Sequence, residues 1–163
     1  MTPAVFALAE ELSSFGLPLA RISRELFDEH RFAYVRLAAD ALARAELDEE
    51  RQFVSTSVSL VDLERFGVGY EEAEGLIDWV RSTAEAEVAC VLKEAPEGFR
   101  VSLRSVDRVD VGAIAAALGG GGHRLASGFT MRASVGEVRA AVVRELDRQL
   151  AREQAAVSGI VGP

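Results

Sequence analysis

The chain has 163 residues, of which 49% are hydrophobic and 27% charged, and its net charge at pH 7 is −8. This length suits one ordinary domain, and the composition excludes a disordered or fibrous chain. The negative charge argues against a broad basic surface for long nucleic acids, and the lack of long apolar runs predicts a cytoplasmic protein with no membrane partner.

Cysteine and charge usage narrow the candidate sites further. Cys90 is the only cysteine, which excludes an intrachain disulfide and a thiolate-rich metal site, and its apolar neighbours predict a buried, inert thiol. Residues 47–97 contain thirteen acidic residues and four basic ones, whereas residues 101–132 contain four arginines and two aspartates. We therefore expect an anion to bind within residues 101–132.

Residues 1–46 are predicted to form a helical lead-in. Thr2 is placed to cap a first helix that has Pro3 at its first position and ends at Gly16. The spacing of apolar residues predicts two further helices, over residues 19–31 and 32–46.

Residues 47–153 are predicted to form an α/β domain with a mixed sheet of about four to five strands flanked by helices. Periodicity and turn residues predict strands over residues 52–58, 87–92, 99–105 and 129–133. Helices are predicted over residues 59–66, 70–84, 111–118 and 134–153. Residues 154–163 are expected to form a flexible tail.

The run GGGGHRLASG over residues 119–128 is the most informative stretch of the sequence. Consecutive glycines allow several backbone N–H groups to approach a phosphate, and His123 and Arg124 follow with further donors. The spacing matches neither a GxGxxG motif nor a P-loop. The alternative is that the glycines only end the preceding helix and turn the chain.

A second candidate is the segment Ser102-Leu103-Arg104-Ser105. In a strand, Ser102 and Arg104 lie on one face and Leu103 and Ser105 on the other. Arg104 is therefore predicted to reach the same cavity as Arg124, although a single such arginine is often only solvated.

These motifs together identify a family resemblance. Arg104-Ser105, Val109-Asp110-Val111, GGGGHR and Ala126-Ser127-Gly128 resemble the C-terminal DHH-associated domain of DHH phosphoesterases. The resemblance is to the branch of nano-RNA oligoribonucleases that also hydrolyse 3′-phosphoadenosine 5′-phosphate. It implies that this domain binds the phosphate end of a short oligoribonucleotide or nucleotide. Carried over position by position, the strand motif and the GGGH motif imply these substrate-binding residues: Arg104, Ser105, Gly120, Gly121, Gly122, His123 and Arg124.

In that family, catalysis belongs to a separate DHH domain that holds two Mn²⁺ ions. The present sequence has no Asp-His-His motif and only two histidines. No catalytic residue, metal ligand or cofactor is therefore expected in it, and the chain alone is expected to be inactive. The lead-in is expected to connect to a DHH catalytic domain that is absent here. The sequence does not indicate which substrate is preferred among nano-RNA, a nucleoside bisphosphate and a cyclic dinucleotide. It also does not indicate whether the chain forms a homodimer.

Three alternatives remain beside this interpretation. In the first alternative, the chain is an interaction or dimerisation module, in which the lead-in pairs with another subunit. In the second, it is a general nucleic-acid-binding domain, like the related domain of alanyl-tRNA synthetases. The net charge disfavours this second alternative. In the third, it is a self-sufficient enzyme, with Ser127 as nucleophile and His123 as base.

Overall fold

The computed structural model describes the backbone of residues 2–160 and the side chains of residues 2–152. The chain divides into two compact units, residues 1–32 and residues 33–163. No helix among the described residues is both long enough and apolar enough to cross a membrane.

The first unit is helical. It contains α1 (Pro3–Ser14) and α2 (Leu19–Ser23), and a π-helical segment, Arg24–Asp28, continues α2. Pro3 takes a first-turn position as predicted, but the Thr2 side chain makes no capping hydrogen bond. The helix predicted over residues 19–31 ends at Asp28 instead, and its hydrogen-bond pattern changes from α-helical to π-helical at Arg24. No residue of these three elements is buried.

The rest of the described chain forms an α/β structure, as predicted. Its helices are α3 (Phe32–Ala43), α4 (Leu60–Phe66), α5 (Leu76–Val80), α6 (Val111–Ala117) and α7 (Val135–Ile160), with a 3₁₀ segment at Glu72–Gly75. Its strands are β1 (Glu46–Asp48), β2 (Phe53–Val58), β3 (Val88–Ala95), β4 (Gly98–Ser105), β5 (Gly121–His123) and β6 (Ala126–Met131). They form one sheet in the order β1-β2-β3-β4-β6-β5, in which β2 and β3 are parallel and the other pairs antiparallel. The mixed sheet is confirmed, with six strands instead of four to five.

The two additional strands are the short edge strands. β1 occupies positions where helix α3 was predicted to end, and β5 consists of two glycines and a histidine. Neither has the alternating, β-branched pattern that predicts a strand, because an edge strand is held by its one neighbour and does not need it.

Several predicted helix bounds also need correction. α3 ends at Ala43, and its buried residues lie in the core of the α/β unit. The helix predicted over residues 70–84 is a 3₁₀ segment followed by the short α5. α7 continues through residues 154–160, which the sequence had assigned to the tail, and residues 161–163 lie outside the described part of the chain.

Two apolar cores cover the two faces of the sheet. On one face, Val54, Val58 and Val91 pack with buried residues of α3, α4 and α5. On the other face, Cys90 and Leu103 pack with buried residues of α6 and α7. The result is a three-layer arrangement with the sheet in the middle.

The first of these faces changes character over β4 and β6. Val101 and Leu103 of β4 are buried in the core under α6 and α7, so the alternate residues Arg100, Ser102 and Arg104 lie on the opposite face. These three polar residues extend beyond the apolar core that α3, α4 and α5 cover. A polar, open half-face of the sheet therefore adjoins an apolar, covered one.

Candidate functional site

The glycine run combines a helix end with a β-hairpin. Gly119 has a φ of +85°, and the N–H of Gly120 donates to the carbonyl oxygen of Ala115 at 2.8 Å, which closes the last turn of α6. The chain then forms β5, which pairs with β6 across a two-residue turn. The helix-end alternative thus describes the first two glycines, and an edge strand follows.

Steric contact explains two of the glycines. A Cβ on Gly120 would lie 2.2 Å from the carbonyl oxygen of Gly128. Gly122 has a φ of +143°, and a Cβ there would lie 2.6 Å from the Cα of Ser127. A Cβ on Gly121 would meet no atom within 4 Å. The chain therefore packs against β6, just before β5 at Gly120 and within β5 at Gly122, more closely than residues with side chains allow.

The strand geometry changes which backbone donors a ligand meets. The Gly120 N–H is engaged by Ala115, so it is not available to a phosphate. β5 lies at the sheet edge, and in an antiparallel ladder alternate residues direct their N–H groups away from the partner strand. The backbone donors that an anion can meet are therefore the outward N–H groups of β5, rather than N–H groups that converge within a loop.

The turn after β5 is held on both sides. The carbonyl oxygen of Arg124 accepts from the N–H of Val111 at 2.9 Å, and that of Leu125 accepts from the N–H of Ser105 at 3.1 Å. These bonds join the turn to the start of α6 and to the end of β4. The turn is therefore a fixed part of the domain.

Three polar side chains of this hairpin have different surroundings. The His123 side chain is exposed and makes no hydrogen bond or ion pair with any residue that the structure describes. The half-exposed guanidinium of Arg124 donates to the carbonyl oxygen of Arg108 at 3.3 Å and lies 3.7 Å from the carboxylate of Asp107. The Ser127 hydroxyl is buried and donates to the carbonyl oxygen of Val111 at 2.6 Å, which disfavours its use as a nucleophile with His123 as base.

Arg104 and Ser105 line a cavity of about 450 Å³ that we call the mixed cavity. Arg104 is the register partner of Ala126 on β6, so it lies directly beside the hairpin. The mixed cavity is lined by Arg81, Glu87, Arg104, Ser105, Val106 and Leu125, together with three alanines. His123 and Arg124 do not line it, although Leu125, the next residue of the same turn, does.

A second depression of about 530 Å³, the polar groove, runs over β4 and β6. Its polar lining residues are Glu74, Arg100, Ser102, Arg104, Ser127 and Thr130. Arg104 lines both the groove and the mixed cavity, so the two depressions adjoin at this side chain. The predicted face pairing of Ser102 with Arg104 is present in the groove.

Glu87 organises the segment between β4 and α6. One carboxylate oxygen accepts from the Ser105 hydroxyl and from the backbone N–H groups of Asp107, Arg108 and Val109, at 2.7 to 3.1 Å. Burial by itself raises the pKa of Glu87, but these hydrogen bonds outweigh it and hold the pKa below its ordinary value. The carboxylate therefore stays charged and fixes Ser105 at the cavity wall.

Sequence reasoning missed four charged residues of the two depressions, namely Glu74, Arg81, Glu87 and Arg100. The alternation that placed Ser102 and Arg104 on one face also predicts Arg100 there. Glu74, Arg81 and Glu87 come from a 3₁₀ segment, a helix end and a loop, for which no periodicity predicts a direction. The structure describes no group of three or more His, Cys, Asp or Glu side chains placed to hold a metal ion.

Comparisons with known proteins identify the family of the chain. The model of the DHHA1 domain matches residues 52–152. The bifunctional oligoribonuclease and PAP phosphatase NrnA of Thermus thermophilus is 31% identical over 134 residues, which are 80% of this chain and 39% of that protein. The chain thus spans about two fifths of the length of this curated relative.

Solved structures share the fold. An exopolyphosphatase-related protein from Bacteroides fragilis superposes with a TM-score of 0.83 at 23% identity, over 90% of this chain and 44% of its own. A pGpG-specific phosphodiesterase, PggH, from Vibrio cholerae superposes with a TM-score of 0.52 at 10% identity, over 83% of this chain and 44% of its own. The resemblance that the GGGH and strand motifs indicated is confirmed, and the chain belongs to the DHHA1 domain family of the DHH phosphoesterases.

Proposed function

We propose that this domain binds the phosphate end of a short oligoribonucleotide or nucleotide for a DHH-family phosphoesterase. The observation that carries the proposal is the junction of β4 with the β5–β6 hairpin, where Arg104, Ser105 and the turn containing Arg124 adjoin. This junction combines guanidinium groups with the donors of a glycine edge strand, which are the groups that bind phosphate oxygens.

Each residue has a distinct role in the proposal. Arg124 on the turn and His123 at the end of β5, both exposed, contact the terminal phosphate, and the outward N–H groups of β5 add backbone donors. Arg104 and Ser105 contact the nucleotide from the end of β4. In this proposal, hydrolysis belongs to a DHH catalytic domain, where Mn²⁺ would supply the activation of water.

The experiment is isothermal titration calorimetry of the chain with a 5′-phosphorylated dinucleotide and with adenosine 3′,5′-bisphosphate, at low and moderate salt. We expect binding that weakens with salt and that Arg124→Ala reduces by roughly tenfold or more, since a charge-assisted hydrogen bond is lost. Arg148→Ala is the matched control, because Arg148 is an exposed arginine on α7, outside both depressions. Equal losses in the two variants would contradict a phosphate site at the hairpin.

A second candidate, an interaction module, rests on the first unit of the chain. Among its described residues, Phe6, Leu8, Leu26 and Phe27 are each more than half exposed. Monomeric proteins rarely leave so many large apolar side chains exposed in so short a segment.

Analytical ultracentrifugation tests this candidate. Self-association through the first unit predicts that Phe6→Ser and Phe27→Ser shift the chain toward monomer, whereas Val61→Ser does not. Val61 is comparably exposed, at 69% against 58% for Phe6 and 73% for Phe27, but lies on α4, in the second unit. A monomer at all concentrations would contradict dimerisation through this unit.

A further inference from the structure

The mixed cavity and the polar groove differ in chemical character although they share Arg104. Beside its charged residues, the mixed cavity has an apolar floor of Val106, Leu125 and three alanines. The polar groove is lined chiefly by arginine, serine, threonine and glutamate side chains. A nucleotide has the same division, because its base is flat and largely apolar while its sugar and phosphates are polar and anionic.

Resting on the proposed function, we infer that the mixed cavity is the nucleobase site, and that the polar groove, which adjoins it at Arg104, takes the sugar of the same ligand, while the hairpin keeps the terminal phosphate. The volume of the mixed cavity, about 450 Å³, lies within the roughly 300–1,000 Å³ that small-molecule sites occupy. This inference makes the ligand a nucleotide, rather than an inorganic polyphosphate or a sugar phosphate.

The side chains at the cavity suit a base in detail. Guanidinium planes stack on nucleobases, and both Arg81 and Arg104 line the cavity. Arg81 is half-exposed and is held by Asp78, whose carboxylate lies 3.5 Å from its Nε atom. Leu125 and Val106 supply the apolar surface on which a base is stable.

Hydrogen-bonding capacity supports the same assignment. Because the Ser105 hydroxyl donates to Glu87, its oxygen keeps only the capacity to accept from a ligand. The second carboxylate oxygen of Glu87 lies 3.8 Å from the Nε atom of Arg108, beyond hydrogen-bond distance, and it too accepts only. Acceptors in the wall match the N–H groups on the edge of a base and repel phosphate oxygens.

The carboxylate of Glu87 and the apolar floor make this cavity a poor match for polyphosphate. The part-buried, hydrogen-bonded Glu87 keeps a negative charge in the wall, which offsets one of the two arginines there, and a polyanion that entered would lie on an apolar floor. Such a ligand would be accommodated by the arginines of the polar groove alone. The two depressions therefore discriminate between a nucleotide and a pure chain of phosphates.

The test compares three probes by calorimetry on the whole chain. These are adenosine 3′,5′-bisphosphate, the same sugar bisphosphate without its base, and tripolyphosphate. We expect the base-containing probe to bind roughly tenfold more tightly than the base-free one, a gain typical of one stacked base.

Two substitutions test whether the tighter binding of the base-containing probe arises at the mixed cavity. Arg81→Lys keeps the charge and removes the stacking plane, and Leu125→Ala removes part of the floor. Each should weaken binding of adenosine 3′,5′-bisphosphate severalfold and leave the base-free probe unchanged. Leu60→Ala is the matched control, because Leu60 is exposed to the same extent, 39% against 38%, and lies on α4 outside both depressions.

The outcomes separate this inference from the function on which it rests. If both sugar probes bind equally, and Arg124→Ala weakens both, the phosphate site stands and the nucleobase assignment is wrong. Preference for tripolyphosphate would also overturn the assignment. If no probe binds, the proposed function and the inference both fail for this chain.

Discussion

Lys93 of β3 lies directly across from Arg100 of β4 in the antiparallel register, so two cationic residues are neighbours in the sheet. Like charges in this position repel. The carboxylate of Glu74 separates them, at 2.6 Å from the Lys93 Nζ atom and 3.8 Å from an Arg100 nitrogen. Lys93 is buried and also donates to the carbonyl oxygen of Tyr70 at 2.8 Å. Glu74 thus neutralises a buried lysine beneath the polar groove.

Replacing Glu74 with glutamine should destabilise the fold. The substitution leaves the buried Lys93 ammonium beside Arg100 without a counter-charge, at an expected cost of about 2 kcal/mol in the free energy of unfolding. Urea denaturation measures the change. Glu71→Gln is the control, because Glu71 is exposed in the same segment. Equal stability of the two variants would show that the ion pair contributes nothing.

Glu87→Gln should change how stability depends on pH. Burial opposes ionisation of Glu87, but its hydrogen bonds outweigh burial and lower its pKa in the folded state. A carboxyl group with a lowered folded pKa contributes stability above its unfolded pKa and loses it as pH falls through the folded pKa. The wild type should therefore exceed Glu87→Gln in stability by about 1–2 kcal/mol at neutral pH.

That difference should shrink in acid, as measured by urea denaturation at neutral pH and at a pH below the ordinary carboxyl range. Glu85→Gln, a change at an exposed neighbour, should show no such difference at either pH. A constant gap between wild type and Glu87→Gln across this pH range would mean that the loss comes from side-chain packing and not from the charge.

The glycines of the hairpin should differ in their tolerance of a methyl group. Gly120→Ala places a Cβ against the Gly128 carbonyl, and Gly122→Ala adds a clash at a positive φ. Each should lower the free energy of unfolding by about 2 kcal/mol or more. Gly121→Ala, which meets open space, should be nearly neutral in thermal denaturation and serves as the control. Equal losses at all three positions would contradict the observed packing of β5 on β6.

Cys90 should be unreactive in the folded protein. Its thiol is fully buried in the core under α6 and α7, and burial raises its pKa to about 12. Because the thiolate is the reactive form, an aromatic disulfide reagent at mildly alkaline pH should label it only after denaturation. Rapid labelling of the native chain would indicate local opening of β3.

Several local features were predictable because neighbours in the chain determine them. The capping box of Ser59 and Asp62 is present at the start of α4, and Asp110 caps α6 through the N–H of Ala113 at 2.9 Å. The two predicted strands on either side of Pro96 do form a hairpin, although they pair as far as Ala95 and Gly98 and leave a turn of only two residues. Caps and tight turns depend on residues three or four positions apart, so sequence spacing is sufficient to find them.

The candidate site was only partly predictable. Arg104 and Ser105 were identified, since strand alternation and family motifs both indicate them. Glu87 was missed because its role depends on three N–H groups some twenty residues later in the chain, which only folding brings to it. The glycine run was predicted as a phosphate loop, yet part of it is a strand, because pairing with β6 outweighs the poor strand propensity of glycine.

The sequence by itself determined the family, the α/β class, the local caps and turns, and the residues with donors for an anion, since all of these depend on residue type and short-range spacing. Only the tertiary structure decided that β5 is an edge strand, that Glu74 lies between Lys93 and Arg100, and that the mixed cavity and the polar groove adjoin at Arg104. These relationships join segments far apart in the chain, and they follow from how the sheet and its helices pack rather than from any local pattern.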